Sequence, residues 1–177
     1  SKLGWQDIVL LERKQLTSGT TWHAAGLIGQ LRATLNMTKL AMYSTELYNN
    51  LESETGIATG YKRNGSLSLA LTEERFEELR RGASMARNFG LETEILSNNE
   101  IKKRYPMLFV DDAVGGIFLP SDGQADPSNI ALALAKGARL NGVSFFENTK
   151  ATNIDIENGR VVGVETPQGK IKSEYVV

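Results

Sequence analysis

One histidine occurs in this chain, His23, within Ser18-Gly19-Thr20-Thr21-Trp22-His23-Ala24-Ala25-Gly26-Leu27. An imidazole can serve as a base, a metal ligand or a nucleophile. Just upstream, Asp7-Ile8-Val9-Leu10-Leu11-Glu12-Arg13 is an apolar run that ends in an acid. In a dinucleotide-binding βαβ unit, the second strand ends in a carboxylate that accepts a hydrogen bond from a ribose hydroxyl. Between the acid and the imidazole, Thr17 to Thr21 form a hydroxyl-rich turn. Its hydroxyls suit a pyrophosphate and a sugar chain, and glycine there lets the backbone approach closely. The combination predicts a flavin site with His23 as the covalent anchor.

Each of these residues also has an ordinary role. A strand-end acid such as Glu12 is often only exposed, and a loop histidine often bonds only to backbone. The turn could be simple turn and N-cap chemistry. A metal role for His23 needs partners, and the chain has no cysteine and no second histidine. Serine-type nucleophilic catalysis would use Ser18, Thr20 or Thr21, but no G-x-S-x-G elbow is present. Arg32, in Gln30-Leu31-Arg32, is a candidate for a substrate carboxylate, because a guanidinium binds carboxylates bidentately. Its alternative is a surface arginine. Tyr43 and Tyr48 could line a pocket, with Tyr48 better suited to packing. Lys102-Lys103-Arg104 reads as a solvated helix face.

Several elements must position these groups. Ile8 to Glu12 is a continuous apolar run, as in a parallel strand covered on both faces. Gln15 to Gly29 is loop or a short helical turn. Met37, Leu40, Ala41, Ser44, Leu47, Tyr48 and Leu51 recur with helical spacing, and Gly56 ends that helix. Ser66 to Leu71 alternates like a strand. Thr72 caps a helix whose stripe is Phe76, Leu79, Ala83 and Ala86, closed by Gly90. Glu92 to Leu96 is a short strand, and Ser97 with Glu100 forms a capping box for a helix to Tyr105. Gly115 to Leu119 is a strand. Asp126-Pro127 opens a helix through Ile130, Leu134 and Ala138 to Gly142. Val143 to Phe146 and Thr149 to Ile156 are strands. Asn158-Gly159 turns into Val161 to Thr166, and Pro167-Gln168-Gly169 into a last strand. The class is α/β shading into α+β.

The length, 177 residues, suits one domain or slightly more, and the net charge of −1 with interleaved signs excludes a nucleic-acid footprint. No apolar stretch reaches the roughly 20 residues of a membrane span. The lack of cysteine fits a reducing compartment, so the bacterial cytoplasm or the mitochondrial matrix is expected. Ser1 to Trp5 reads as a helix tail ending at Gly4, and Ile171 to Val177 as a strand cut short. Both ends are expected to belong to something longer, with the glycine-rich phosphate loop before Ser1.

Glu12-Arg13 followed by Leu16 to Leu27 resembles the flavin-attachment segment of the sarcosine and dimethylglycine dehydrogenases, within the D-amino-acid-oxidase-like FAD enzymes. Leu119 to Pro127 is similar to the segment that opens that family's helix after the substrate domain. The resemblance implies an incomplete Rossmann-like FAD-binding domain, with part of a mixed-sheet substrate domain. Residues 1–36 and 121–177 would be its FAD-binding portions and 37–120 the substrate-domain portion. It implies that Glu12 holds the adenosine ribose with Arg13 beside it. Gly19, Thr20, Thr21, Trp22, His23, Ala24, Ala25, Gly26 and Leu27 would wrap the pyrophosphate, ribityl chain and ring. His23 would be bonded to the flavin 8-methyl carbon, and the backbone of Ala151, at the start of the Thr149 strand, would meet the adenine. Many relatives carry valine at that position. The implied activity is oxidation of an N-methylated amino acid at its methyl group, yielding formaldehyde. The electron acceptor would be an electron-transfer flavoprotein or oxygen, and folate would bind a region beyond Val177. This chain alone is then expected to be inactive. The alternatives are a related FAD amine oxidoreductase with noncovalent flavin, or a non-catalytic folded fragment.

Overall fold

The computed structural model describes residues 1–177. In chain order it has β1 (Val9–Leu11), a 3₁₀ turn (Thr21–His23), β2 (Leu27–Ile28), α1 (Leu35–Thr55), β3 (Ser66–Ala70) and α2 (Glu73–Asn88). There follow β4 (Glu94–Leu96), α3 (Asn98–Arg104), β5 (Gly115–Leu119), β6 (Gly123–Gln124) and α4 (Pro127–Leu140). The chain ends with β7 (Ser144–Phe146), β8 (Asn153–Glu157), β9 (Arg160–Thr166) and β10 (Gly169–Lys172).

These strands make four small sheets in a mixed α/β fold. β1 and β7 pair in parallel, with Val9 opposite Ser144 and Leu11 opposite Phe146. β2 and β6 form a two-stranded antiparallel link. β3, β5 and β4 form an antiparallel sheet with β5 at its centre. β8, β9 and β10 form a meander, with a register shift between Asp155 and Ile156.

The β3–β5–β4 sheet is covered on both faces, so every residue of β5 is buried. On one face Ala70, Ile117 and Leu119 pack with Phe76 and Ala83 of α2. On the other, Leu96 and Phe118 pack with Ile101 of α3 and with Val110 and Ala113. Each fully buried aliphatic or aromatic side chain contributes about 1.5–3 kcal/mol through water exclusion. The helices start where side chains satisfy their first N–H groups. Thr72 accepts from Arg75 N–H at 3.2 Å, and Asp126 from Asn129 N–H at 2.9 Å. The Ser97 hydroxyl donates to the Glu100 carboxylate at 2.6 Å and the Ser97 N–H at 2.8 Å, and these bonds hold that carboxyl below its usual range.

α1 departs from its apolar spacing. Thr34 caps it, so it starts at Leu35, ahead of Met37. Its buried residues are Thr38, Thr45, Leu51 and Thr55, while Met37 and Leu40 are more than half exposed. Threonine tolerates burial here because its hydroxyl bonds back into the helix: Thr45 donates to the Ala41 carbonyl (2.9 Å) and Thr55 to that of Leu51 (2.6 Å). Leu51 then packs on Ile130 and Ala133 of α4, with Ile28 and Tyr48 alongside.

Other expectations are corrected. Ser1 to Gly4 is a turn closed by the Gly4 N–H on the Ser1 carbonyl (2.9 Å). Val9 and Leu10 of β1 are each 39% exposed, because β1 has a strand partner on one side only and its faces are largely open. Leu71 lies outside β3 and is exposed. The strand expected from Thr149 begins at Asn153, which leaves Ala151 in irregular chain. The final run leaves the meander after Lys172, bends at Ser173, and sets Tyr175 edge-on against Trp5 with ring centres 5.0 Å apart.

The turn before β3 depends on Gly65. Its φ is +77°, and a Cβ there would run into the Phe118 ring. Gly65→Ala is expected to lower stability by about 2–4 kcal/mol, from a strained backbone plus overpacking. Urea unfolding checks this.

Candidate functional site

The carboxyl ends of parallel strands are where open α/β sheets bind ligands. Here that edge is built by β1 and β7. The pairing continues past both strands: Glu12 N–H donates to the Phe146 carbonyl, and Thr149 N–H to the Glu12 carbonyl, each at 2.9 Å. Asn148 N–H donates to the Lys14 carbonyl at 2.7 Å. The half-buried Glu12 and the exposed Ala151, two residues beyond Thr149, therefore share one end of the pair. The Glu12 carboxylate accepts from Lys14 N–H at 2.8 Å, and Arg13 is exposed.

From this edge the chain enters the loop. The Glu147 carboxylate holds Leu16 N–H at 2.6 Å. Thr17 takes a positive φ of 69°. The 3₁₀ turn then closes through His23 N–H on Thr20 (3.2 Å) and Ala24 N–H on Thr21 (3.1 Å). The N–H groups of Gly19, Thr20, Thr21 and Trp22 donate to no protein acceptor, and the Thr20 hydroxyl caps nothing. A Cβ placed on Gly19 would meet no atom within 4 Å. Successive N–H groups without protein partners are the donors from which an anion-binding concavity is made. That donor set fits the pyrophosphate and polyol of a dinucleotide.

Trp22 and His23 stack on each other, with ring centres 3.7 Å apart and planes 32° apart. Both are exposed. Ala25 is exposed, Gly26 is buried, and Leu27 is 80% exposed. Thr21, Ala24, Gly26 and Leu27 meet α4 in a groove of about 300 Å³, floored by Pro127, Ile130 and Leu134. A second groove of about 290 Å³ runs from Leu27 along α1 and contains Arg32, Met37, Leu40 and Ser44. The two share Leu27, Ile28 and Tyr48. Tyr48 thus both packs and lines, whereas Tyr43 is 66% exposed and lines neither. Glu12 lines neither groove and is joined to them through the loop. The Arg32 guanidinium, at the mouth of the second groove, donates to the Leu31 carbonyl at 2.9 Å.

Sequence reasoning missed the residues that anchor this region. Asp122 is 5% exposed. Its carboxylate accepts from Gln30 N–H (2.9 Å) and from the Ser66 hydroxyl (2.6 Å), and its carbonyl accepts from Gly65 N–H (2.9 Å). The Gln30 side chain, also buried, donates to the Ser121 carbonyl at 2.6 Å. The two-residue strands β2 and β6 were missed as well. The only local signal was an acid set just after an apolar strand.

The whole chain, residues 1–177, matches the family described as FAD dependent oxidoreductase. The chain belongs to that family. It is 43% identical to the pyruvate dehydrogenase phosphatase regulatory subunit, mitochondrial, of Mus musculus over its full length, covering 20% of that protein. It is 41% identical to human mitochondrial sarcosine dehydrogenase, again covering 20% of it. Rat mitochondrial dimethylglycine dehydrogenase is 36% identical, with 21% of it covered. The chain therefore spans about a fifth of the length of these relatives. Among solved structures, L-proline dehydrogenase from P. horikoshii superposes with a TM-score of 0.91 at 27% identity, over 98% of this chain and 46% of that one. No helix here is long and apolar enough to cross a membrane.

Gly26 carries the loop into β2 with a φ of +76°, and a Cβ there would run into the Ala125 carbonyl oxygen. Gly26→Ala is expected to pull β2 away from β6 and lower stability by about 2–4 kcal/mol. A thermal melt followed by circular dichroism checks this.

Proposed function

We infer that this chain forms the flavin-attachment part of an FAD-dependent enzyme that oxidises an N-methylated amino acid of the sarcosine or dimethylglycine type. The observation that carries this reading is the row of unpaired N–H groups from Gly19 to Trp22. It lies between the carboxylate of Glu12 and the stacked ring of His23. Residues 1–36 and 121–177 act as one cofactor-binding unit, a reading supported by the β1–β7 pair that joins them. Residues 37–120 form the substrate-side portion.

Glu12 holds the ribose hydroxyls with Arg13 beside it, and the backbone at Ala151 meets the adenine. Gly19 to Leu27 cradle the phosphates, the polyol and the ring, and His23 is the covalent anchor. When bound, FAD supplies the two-electron acceptor for the amine; the protein's part is to orient and tune it. Arg32 takes the substrate carboxylate, exchanging its bond to the Leu31 carbonyl for a charge-assisted pair. Met37 and Leu40 give the second groove apolar walls beside that pair. An electron-transfer flavoprotein or oxygen, and a folate site outside these residues, complete the proposed set of partners. The mitochondrial relatives support a matrix setting, and the bacterial cytoplasm is the alternative.

A second reading is favoured by the relative at 43% identity, whose name describes a regulatory subunit. In that case the fold serves control and performs no amine oxidation.

Acid precipitation of the flavin-loaded full-length protein tests the anchor. The yellow colour is expected to stay in the pellet, and His23→Ala is expected to release it. Flavin free in the supernatant of the unsubstituted protein overturns covalent attachment. A full-length protein that carries no flavin and consumes no sarcosine favours the regulatory reading.

A further inference from the structure

Arg32 lies in irregular chain between β2 and α1, outside any strand ladder. Its backbone is nevertheless held at both polar groups by one side chain. The Thr38 hydroxyl accepts from Arg32 N–H at 3.0 Å and donates to the Arg32 carbonyl at 3.3 Å. Thr38 sits in the first turns of α1, where its own N–H bonds to the Thr34 carbonyl at 3.0 Å. The residue is 0% exposed. A hydroxyl is the smallest side-chain group that can donate and accept at once. Two residues earlier, Asp122 holds Gln30 N–H. The segment is thus pinned on either side of Leu31, while the Arg32 side chain itself is exposed on the second groove.

We propose that Thr38 is a positioning residue for Arg32: its buried hydroxyl fixes the root of the guanidinium so that a carboxylate in the second groove meets a preset partner. The proposal rests on the assignment of Arg32 to the substrate carboxylate. The physical basis is preorganisation. A charged side chain on a loose loop must be ordered when its ligand binds, which weakens the complex. Thr38 removes that cost in advance. It touches neither substrate nor cofactor, so it acts on binding and leaves the chemical step alone. Thr38→Val keeps the shape of the side chain and removes both bonds, leaving a backbone N–H and a carbonyl without partners.

The test uses the flavin-loaded full-length protein that contains this chain, with sarcosine and dimethylglycine as probe substrates. Thr38→Val is expected to raise KM about tenfold with kcat held within about twofold. Thr38→Ser, which keeps the hydroxyl, is expected to retain the original KM. In an Arg32→Ala background, Thr38→Val is expected to add nothing, since the group it positions is gone. A second readout does not need turnover. Amide hydrogen exchange at Arg32 is expected to speed up about tenfold or more in Thr38→Val and to stay unchanged in Thr38→Ser. If Thr38→Val does not fold, Thr38→Ala takes its place, and a raised KM in Thr38→Ser overturns the proposal unaided. If Arg32→Ala raises KM while Thr38→Val does not, Thr38 has no positioning role and the assignment of Arg32 stands. If Arg32→Ala leaves KM unchanged, or neither amine binds, that assignment fails and the proposal falls with it.

Discussion

The parallel pairing of β1 with β7 is the constraint on which the rest depends. Only three residues of each strand take part, yet the ladder continues through Glu12, Lys14, Asn148 and Thr149 beyond the strand ends. That continuation decides where the loop begins. It sets the Glu12 carboxylate at an open edge and brings Ala151 to the same end. It also brings up Glu147, which holds Leu16 N–H and so aims the chain toward the 3₁₀ turn. Without it, the unpaired donors of Gly19 to Trp22 would have no fixed relation to the strand-end acid.

A buried carboxylate performs the corresponding task at the other end of the loop. Asp122 receives hydrogen bonds from Gln30 and Ser66 and, through its carbonyl, from Gly65. It thereby joins the exit of β2 to the sheet that carries β3 and β5. A buried polar group is tolerable only when hydrogen-bonded, so the three segments are tied by the same requirement. The outcome is two grooves that share the wall of Leu27, Ile28 and Tyr48, one against α4 and the other along α1.

Much of this architecture was legible from residue types alone. Caps and stops follow local rules, so Thr72, Ser97 with Glu100, and Asp126-Pro127 marked helix starts correctly. Gly56 marked the end of α1. The alternation of β3 and the Asn158-Gly159 hairpin obeyed equally local chemistry. What escaped depends on distant partners. β2 and β6 are two residues each, too short for any period to register, and depend on distant partners: each other and, for Gln124, Lys62. The buried face of α1 is hard to read in sequence because its threonines are satisfied by backbone groups, Thr45 and Thr55 within the helix and Thr38 on Arg32, while Met37 and Leu40 of the apolar spacing are exposed. The roles of Asp122 and Gln30 come from contacts across most of the chain. The candidate loop was legible as chemistry, because hydroxyls, glycine and one imidazole cluster in sequence. Its unpaired donors became visible only with the fold.

The central claim is that the loop from Glu12 to His23 is one wall of a flavin site, with the N–H groups of Gly19, Thr20, Thr21 and Trp22 turned toward the cofactor. Amide hydrogen exchange on the protein loaded with FAD and on the same protein produced without flavin tests it most directly. The account predicts that protection at these four amides rises sharply when FAD is bound, more than at the meander of β8 to β10. Equal exchange at Gly19 to Trp22 in both forms would contradict it.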